Sequence, residues 1–193
     1  MTPLGTVLRV YLFAGLATHK IVWEVLKRGR GRPSARPVDQ SPFLWAVKAG
    51  KIAVTLGLFV QLLLPEILPI SDKPFGPRVI GVILFTFGLL IAILARLELG
   101  NNWSDIETGE VKQDHMLVNG GVYRYIRHPI YSGDLAMLLG LELCLNSWLF
   151  LAVVAIAIPT IYKAVREEEV LSQTVTGYQA YRAQTKRFIP FVV

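Results

Sequence analysis

The residues best suited to chemistry lie in segment 127–134, which reads RHPIYSGD. Pro129 fits the first position of a helix, where no backbone N–H is needed, so His128 is expected to flank the helix start. The free N–H groups of a first helical turn attract anions, and Arg127 adds a cation there. Tyr131 follows His128 by three residues and shares its face. The segment predicts either a site for a small anionic or zwitterionic ligand or an interfacial anchor of Arg and Tyr.

Acidic side chains accompany this segment in otherwise apolar sequence. Asp134 and Glu142 lie in the apolar block that follows it, and an acid within a membrane span is a functional hypothesis by default. For Asp134 the structural alternative is an ion pair with Arg127 or with a lysine of the second apolar block. For Glu142 we favour a position near the helix end, with the carboxylate reaching the headgroup region. Lys163 and Glu167 are four residues apart, which predicts a cation and an acid on one helical face, or an ordinary helix ion pair.

A strongly apolar chain must position these residues. Of its 193 residues 53% are apolar and 18% are charged, which is below the ~25% charge of an ordinary soluble domain. This composition excludes intrinsic disorder, and the single cysteine, Cys144, excludes a disulfide scaffold. The apolar residues form five blocks, at about 4–26, 43–68, 79–97, 130–145 and 148–162. The first three are long enough to cross a bilayer, and the last two, at about 24 Å each, predict a short hairpin.

The fold class predicted from these blocks is an all-α integral membrane protein with about five transmembrane helices. The last two form a short helical hairpin, and a cytosolic C-terminal helix and loop follow. The net charge of +6 is not taken as a sign of nucleic-acid binding, because the basic residues lie at the ends of apolar blocks. The basic loop 27–42 is expected to be cytoplasmic by the positive-inside rule. It contains Lys27, Arg28, Arg30, Arg32 and Arg36.

Alternation of the spans then places the N-terminus outside and the C-terminus in the cytoplasm. We divide the chain into a three-span region, 1–98, and a region 99–193 that is predicted to carry the site. The second region consists of a cytosolic loop, 99–128, the hairpin, 129–163, and a cytosolic tail, 164–193. The oligomeric state does not follow from these patterns.

Local patterns predict further structure on both sides of the hairpin. Gly120-Gly121 indicates a turn, and the alternation of residues 122–126 permits a short extended piece. In the tail, residues 162–173 continue the fifth block as a helix. Tyr178 and Tyr181 are placed in a short helix, before an apolar end, RFIPF, that returns towards the bilayer or the core.

Several common chemistries lack their motifs. There is no HExxH motif and no Cys/His cluster, so no metal is predicted. The three histidines are His19, His115 and His128. No GxSxG is present, and no GxGxxG follows a strand, which leaves a soluble Rossmann enzyme unsupported.

Beyond these patterns, the chain resembles the isoprenylcysteine carboxyl methyltransferase family, as a short member of prokaryotic type. The resemblance runs from 99 to 190 and is carried by LGNNWS (99–104), HMLVNGGVY (115–123), RHPIY (127–131), EEEVL (167–171) and RFIP (187–190). It implies an integral membrane enzyme that uses S-adenosyl-L-methionine at the cytoplasmic face. The implied partners are membrane lipids and a lipidic or prenylated substrate that enters from the bilayer.

The resemblance also implies roles for individual residues. The implied cofactor-binding residues are His115, Leu117, Val118, Tyr123, His128, Pro129, Tyr131 and Glu167. A basic residue four positions before Glu167 is implied to face the substrate carboxylate; the family usually has Arg there, whereas this chain has Lys163, which cannot form the bidentate fork of Arg. We take Lys163, Glu167 and Arg127 as candidate catalytic residues, and Lys163 and Asp134 as candidate substrate-binding residues.

Methyl transfer to a carboxylate needs no strong base, because a carboxyl group with a reference pKa of about 3.5 is already ionised at neutral pH. Catalysis would then rest on orientation and the exclusion of water. An amine or phenol acceptor would need a base, for which Glu168, Asp134 or Tyr131 are candidates. The alternatives are therefore a methyltransferase for a phospholipid amine, a lipid phenol or a small thiol. Less favoured are an NADPH-dependent enzyme like the sterol reductases, which have a similar RHPxYxG[DE] turn, and a non-catalytic membrane scaffold.

Overall fold

The computed structural model describes residues 3–28, 42–64, 66–100 and 116–192, and every regular element in these ranges is helical. The α-helices are α1 (Pro3–Arg28), α2 (Pro42–Leu63), α3 (Phe75–Leu99), α4 (Pro129–Cys144), α5 (Phe150–Thr174) and α6 (Tyr178–Gln184). A short 3-10 helix, Gly121–Arg124, lies ahead of α4. His115 and most of the basic loop, including Arg30, Arg32 and Arg36, lie outside the described residues.

Each of the five apolar blocks forms a helix, and the all-helical class is confirmed. Helix α5 continues past the fifth block to Thr174, as predicted for the start of the tail. Of the helices that the structure describes, Phe75–Leu99 is long and apolar enough to cross a membrane by length and composition, with a mean hydropathy of 2.5. Ile52–Leu63 is a shorter apolar helix. The count of five spans and the orientation of the termini stay predictions.

Helices α3 and α4 pack against each other in antiparallel orientation, with their backbones in contact. The contact is made at four glycines, Gly81, Gly88, Gly133 and Gly140, which we call the glycine seam. A Cβ atom at Gly88 would lie 2.4 Å from the backbone nitrogen of Met137, and one at Gly140 would lie 2.3 Å from that of Phe85. No side chain fits at these distances. Close approach of small residues is the usual way in which helices associate inside a bilayer, so the seam fixes α4 on α3.

Helix α1 packs against the α3–α4 pair around the buried ring of Phe85. Phe85 of α3 is fully buried, and a Cβ atom at Gly15 would lie 2.5 Å from its ring. The Tyr11 hydroxyl is 2.6 Å from the Thr86 hydroxyl on α3. The buried cluster around the ring consists of Leu12, Leu16, Leu62, Met137, Leu141, Cys144 and Leu145. Helices α1, α2, α3 and α4 therefore share one core.

The outward faces of the helices remain apolar. Large apolar side chains are exposed along α1, α2, α3 and α5, among them Val7, Leu56, Phe87 and Ile158. A water-soluble domain rarely leaves so much contiguous apolar surface uncovered. This surface agrees with a helical membrane protein, whose outer face contacts lipid.

The two acids of α4 have partners that differ from those predicted. Glu142 is buried and accepts a hydrogen bond of 2.8 Å from the Gln61 side chain. Its predicted reach to the headgroup region is therefore wrong, because α2 supplies a donor inside the bundle. Asp134 lies 2.9 Å from Nε2 of His19 on α1, whereas Arg127 binds a different carboxylate. The alternative of an ion pair between Asp134 and Arg127 is therefore not realised, because α1 brings a histidine to that level of α4.

The segment before α4 also differs in part from its prediction. Residues Gly121–Arg124 form a 3-10 helix rather than an extended piece. Gly121 has a φ of 50°, a conformation that glycine adopts without strain. The backbone N–H of the next residue, Val122, donates to the Glu98 carboxylate at 2.8 Å. This bond ties the start of the 3-10 helix to the end of α3. Within residues 122–126, Ile126 alone forms a β-type backbone pairing, an isolated parallel bridge with Lys186.

Candidate functional site

The start of α4 has the geometry that the sequence predicts. His128 is the N-cap residue and Pro129 opens the helix. The backbone N–H of His128 donates to the Arg187 carbonyl at 3.0 Å, and that of Arg127 donates to the Lys186 carbonyl at 2.8 Å. These bonds hold the C-terminal segment alongside the first turn of α4. His128 and Pro129 are both buried.

One carboxylate on α5, that of Glu167, faces this helix start. The Tyr131 hydroxyl donates to it at 2.5 Å, and Nδ1 of His128 lies 3.7 Å from its other oxygen. Lys163, one turn earlier on α5, places Nζ 4.0 Å from Glu167 and 5.6 Å from the centre of the Tyr131 ring. The rings of His128 and Tyr131 are stacked, 5.6 Å apart and 9° from parallel. We call these four residues the Glu167 cluster.

The Glu167 cluster combines three features that a charged ligand can use. Glu167 itself is 8% exposed, so its carboxylate is largely desolvated. Aromatic faces beside a carboxylate suit a cationic group, because the ring face and the carboxylate both carry negative potential. The Lys163 side chain is 37% exposed and offers a cation at the open side of the cluster. The arrangement can therefore hold a zwitterionic ligand or a cation and an anion side by side.

The neighbouring carboxylate, Glu168, points in another direction and organises the tail. It is 1% exposed and accepts hydrogen bonds from Nε of Arg127 at 2.9 Å and from Nε and Nη2 of Arg187 at 2.9 and 3.0 Å. Nε2 of His128 is 3.2 Å away, and Nε of Arg182 lies at 3.5 Å. We call these five residues the Glu168 cluster. It joins α4, α5, α6 and the C-terminal segment at one point.

Glu168 is ionised in this setting. Burial alone raises the pKa of Glu168, but the hydrogen bonds of His128, Arg187 and Arg127 outweigh burial and hold the pKa well below its usual range. Arg127 also donates from Nη1 to the carbonyls of Thr185 and Arg182. The contacts described for Arg127 are thus with the protein itself. Arg127 therefore holds the tail in position rather than pointing towards a ligand.

Residues 117–123 reach α6 through contacts of their own. Leu117 packs against a buried cluster of Val175, Tyr178 and Tyr181. The Tyr181 hydroxyl donates to the backbone carbonyl of Tyr123 at 2.7 Å, and Tyr123 is buried. Burial raises the pKa of Tyr181 to about 12 and that of Tyr123 further, so both phenols are neutral. Val118 is half-buried in the same segment.

Asp134 lies on α4 one turn beyond Tyr131, towards the interior of the bundle. Its partner His19 is buried and stacks on Trp23, with ring centres 4.0 Å apart. A histidine whose ring is held by a carboxylate is a common proton-accepting unit. The Asp134 side chain itself is part-exposed.

The structure therefore brings together His128, Tyr131, Lys163 and Glu167, and it places Arg127 against Glu168. Sequence patterns alone do not point to His19, Arg182 or Arg187, and they leave Glu168 either as part of a solvated acidic face or as a candidate base. One signal for Glu168 existed. Successive residues of a helix point about 100° apart, so Glu167 and Glu168 meet largely different neighbours, and only His128 contacts both in the described residues, with Nδ1 towards Glu167 and Nε2 towards Glu168. A run of acids such as 167–169, followed along the chain by a segment rich in basic residues such as 182–187, is therefore a candidate for a buried ion cluster.

Comparison with known proteins identifies the family. The model of the phospholipid methyltransferase family matches residues 77–176, which is more than half of the chain. Protein-S-isoprenylcysteine O-methyltransferase of Xenopus laevis is 31% identical over 117 residues, covering 59% of this chain and 41% of that protein. The probable protein-S-isoprenylcysteine O-methyltransferase of Oryza sativa subsp. japonica is 26% identical over 149 residues, covering 76% of each. The matches cover 27%, 41% and 43% of three such relatives, so the chain spans less than half of their length.

The fold comparison agrees with the sequence comparison. The structure of the eukaryotic intramembrane Ras methyltransferase ICMT, an isoprenylcysteine carboxyl methyltransferase, superposes with a TM-score of 0.55. The match covers 96% of this chain and 68% of that one, at 21% identity, and shows a shared fold. The chain belongs to the phospholipid methyltransferase family and is a relative of the isoprenylcysteine carboxyl methyltransferases, as its motifs predicted.

Proposed function

We propose that this protein is an integral membrane methyltransferase that uses S-adenosyl-L-methionine and methylates the carboxylate of a prenylcysteine or a similar lipidic acceptor. We also propose that the site and the C-terminus face the cytoplasm. The Glu167 cluster is the observation that carries this proposal. It sets a desolvated carboxylate, two stacked rings and an accessible ammonium at the start of α4.

The residues present fit this cofactor. S-adenosyl-L-methionine supplies an activated methyl group on a sulfonium when it is bound, and it also carries an ammonium group. Glu167 and the ring faces of His128 and Tyr131 would hold these positive charges. Pro129, Leu117, Val118, Tyr123 and His115 complete the proposed cofactor-binding set. A carboxylate and an aromatic face provide the negative potential that suits a sulfonium and an ammonium group, and both are present in the Glu167 cluster.

On the acceptor side, Lys163 is the proposed partner of the substrate carboxylate. Its ammonium is accessible and lies on the same helix face as Glu167, so an anion beside it would be held next to the cofactor-binding carboxylate. Asp134, one turn deeper, is proposed to line the path of the lipidic chain. No proton has to be removed from an ionised carboxylate, so the chain's task is to orient the two reactants and to exclude water. Glu168 fits no base role, because its lowered pKa makes it a weak proton acceptor and because hydrogen bonds from arginines occupy both of its oxygens.

The test is methyl transfer from labelled S-adenosyl-L-methionine to farnesylcysteine, with the purified protein in lipid. Label that base releases as methanol identifies a methyl ester. Glu167→Gln should weaken cofactor binding roughly 10- to 100-fold, the range expected when a charged hydrogen-bonding partner is lost. Lys163→Ala should raise the KM for farnesylcysteine and leave cofactor affinity unchanged.

Glu169→Gln is the matched control, because Glu169 is 55% exposed and pairs only at the surface with Arg166. It should behave as the unmodified protein. If Glu167→Gln binds the cofactor as tightly as Glu169→Gln, the proposed site is wrong. If Lys163→Ala lowers only cofactor affinity, the division of roles between the two residues is wrong.

A second candidate acceptor is an amine, and the His19–Asp134 pair favours it. An ammonium acceptor must lose a proton before methylation, and a histidine 2.9 Å from a carboxylate can accept one. In that case label would appear in the lipid fraction in a base-stable form. His19→Asn should then reduce transfer to the amine, whereas transfer to farnesylcysteine needs no base and should not depend on it.

A further inference from the structure

A cavity lies at the end of the bundle opposite to the Glu167 cluster. Its volume is about 700 Å³, and it is lined by the start of α1, the connection between α2 and α3, the start of α3 and the end of α4. We call it the far cavity. Its charged lining residues are Arg9, Glu66, Asp72 and Arg78. None of these residues contributes to the methyl-transfer site described above.

The far cavity and the site are separated by about one membrane thickness. Arg78 lines the cavity near the start of α3, and Glu98, near its end, binds the 3-10 helix beside the site. Twenty residues of helix correspond to about 30 Å at 1.5 Å per residue. The hydrocarbon core of a bilayer is also about 30 Å thick. With the site at one membrane surface, the far cavity lies at the level of the other headgroup layer.

Three of the charged groups of the far cavity, those of Arg9, Glu66 and Arg78, are held in place by hydrogen bonds within the protein. Nη1 of Arg9 donates to the carbonyls of Gln61 and Leu62 at 3.1 and 2.7 Å, at the end of α2. Nη2 of Arg78 donates to Glu66 at 2.5 Å. The other oxygen of Glu66 accepts from the buried Asn146 side chain at 2.7 Å. Two guanidinium groups and a carboxylate are thereby fixed around one cavity, which reduces the entropy lost when a ligand binds.

The charges are balanced, and most of the remaining lining residues are apolar. Two arginines face two acids, so a ligand with both a negative and a positive group is matched better than a simple anion. Leu8, Pro69 and Leu145 supply apolar lining. Leu4 and Phe75, on helices that border the cavity, are largely exposed on the outer surface. A ligand with a zwitterionic head and apolar chains can use all of these surfaces at once.

We propose that the far cavity binds the headgroup of a zwitterionic phospholipid in the leaflet opposite to the methyl-transfer site. Arg9 and Arg78 would hold the phosphodiester, because guanidinium groups match phosphate geometry. Glu66 and Asp72 would hold the ammonium. The proposal rests on the membrane placement of the bundle and is independent of the methyl acceptor.

The test is lipid retention by the purified full chain in detergent, measured by native mass spectrometry. The probes are a phosphatidylethanolamine and a phosphatidylglycerol with the same acyl chains, which share the phosphodiester and differ in the headgroup alcohol, a cationic ethanolamine in the first and an uncharged glycerol in the second. The unmodified protein should retain the first at least about fivefold better. Asp72→Lys should reverse the preference, because a third cation replaces one of the two acids. Lys73→Gln, on the neighbouring residue of the same connection, is the matched control and should keep the original preference.

Arg78→Gln should lower retention of both lipids about tenfold or more, as expected for the loss of a charged phosphate contact. Its thermal unfolding midpoint is measured in parallel because Arg78 also pairs with Glu66, and the Asp72→Lys result is decisive where Arg78→Gln is unstable. Equal lipid preference in Asp72→Lys and Lys73→Gln would overturn the proposal. Displacement by free phosphoethanolamine at lipid-like concentrations would overturn the assignment to a lipid. Because no methyl transfer is measured, these results do not depend on the proposed activity.

Discussion

Replacement of Glu168 by glutamine is expected to release the C-terminal segment from the start of α4. Glu168 is the common partner of three arginines and His128, and two of the arginines, Arg182 and Arg187, belong to the tail. Glutamine has nearly the same size but carries no charge. The substitution therefore removes the attraction at the centre of the cluster and leaves its cations close together.

The size of the effect follows from the burial of the pair. Removal of one partner of a buried ion pair costs about 3–5 kcal/mol, because the other charge stays buried without compensation. Arg127 is buried here, whereas Arg182 and Arg187 are part-exposed, so solvent screens part of their repulsion. We therefore expect the lower value, about 3 kcal/mol. At 1.4 kcal/mol per tenfold change, this raises the open fraction of the tail roughly 100-fold.

Limited trypsin digestion in lipid measures that fraction. Trypsin cleaves after Arg182, Lys186 and Arg187, and when opening is fast relative to cleavage the rate follows the open population. The rates are read from the released peptides by mass spectrometry. Glu169→Gln is again the control, because an exposed ion pair contributes about 0–1 kcal/mol and its loss should change the rate less than about fivefold.

Equal cleavage rates in Glu168→Gln and Glu169→Gln would refute the reasoning, because the cluster would then not hold the tail. Cleavage after Lys27 provides a second check. If it accelerates as much as cleavage in the tail, the substitution unfolds the whole bundle, and the inferred local role of Glu168 is wrong.

Three further predictions concern pH, packing and burial. Because the pKa of Glu168 is lowered in the folded protein, its ionised form stabilises the tail fully at pH values above the ordinary glutamate pKa of about 4.3. Hydrogen-exchange protection of the tail should therefore be constant from pH 7 to 5 and fall as the pH drops further. Glu168→Gln should show no such fall. Gly88→Ala places a Cβ atom 2.4 Å from the α4 backbone. It should cost about 1–3 kcal/mol and lower the thermal unfolding midpoint by several degrees. Gly57→Ala is the control and should not lower the midpoint, because a Cβ atom there has no neighbouring atom within 4 Å among the described residues. Gln61→Leu removes one hydrogen-bond donor of the buried Glu142 and should cost about 1–3 kcal/mol in the same measurement. The added substitution Glu142→Leu should restore most of that loss.

The features that the sequence predicts correctly are those set by local rules. Pro129 can begin a helix because it has no N–H to leave unpaired, and the structure places His128 at the N-cap as expected. The continuation of α5 to Thr174 follows from the absence of any helix-stopping residue after Pro159. The approach of Lys163 to Glu167 follows from the pitch of a helix.

The features that the sequence does not predict depend on elements distant along the chain. His19 and Asp134 are separated by 115 residues, and nothing in the local pattern of either one points to the other. Glu142 has its partner on α2, 81 residues earlier. The adjacent acids Glu167 and Glu168 differ only in direction, and which of them meets the tail depends on the path of the chain after α5. Tertiary contacts of this kind have no periodic signature.

Arg127 illustrates the limit of a motif. It lies in the same RHPIY segment as His128 and Tyr131 and was a candidate catalytic residue on that basis. Its described contacts are with Glu168 and two backbone carbonyls of the tail. We therefore propose that it acts as a positioning residue, which holds the tail against the helix on which His128 and Tyr131 lie.

The α3–α4 contact should be little affected by cooling. Across Gly81, Gly88, Gly133 and Gly140 the two backbones meet directly, and within a bilayer such a contact displaces lipid chains rather than water. The hydrophobic effect weakens in the cold because it depends on water, whereas dispersion between close-packed atoms does not. The first turn of α4, with His128 and Tyr131, is therefore attached to a support whose geometry should be the same in a cold membrane and in a warm one.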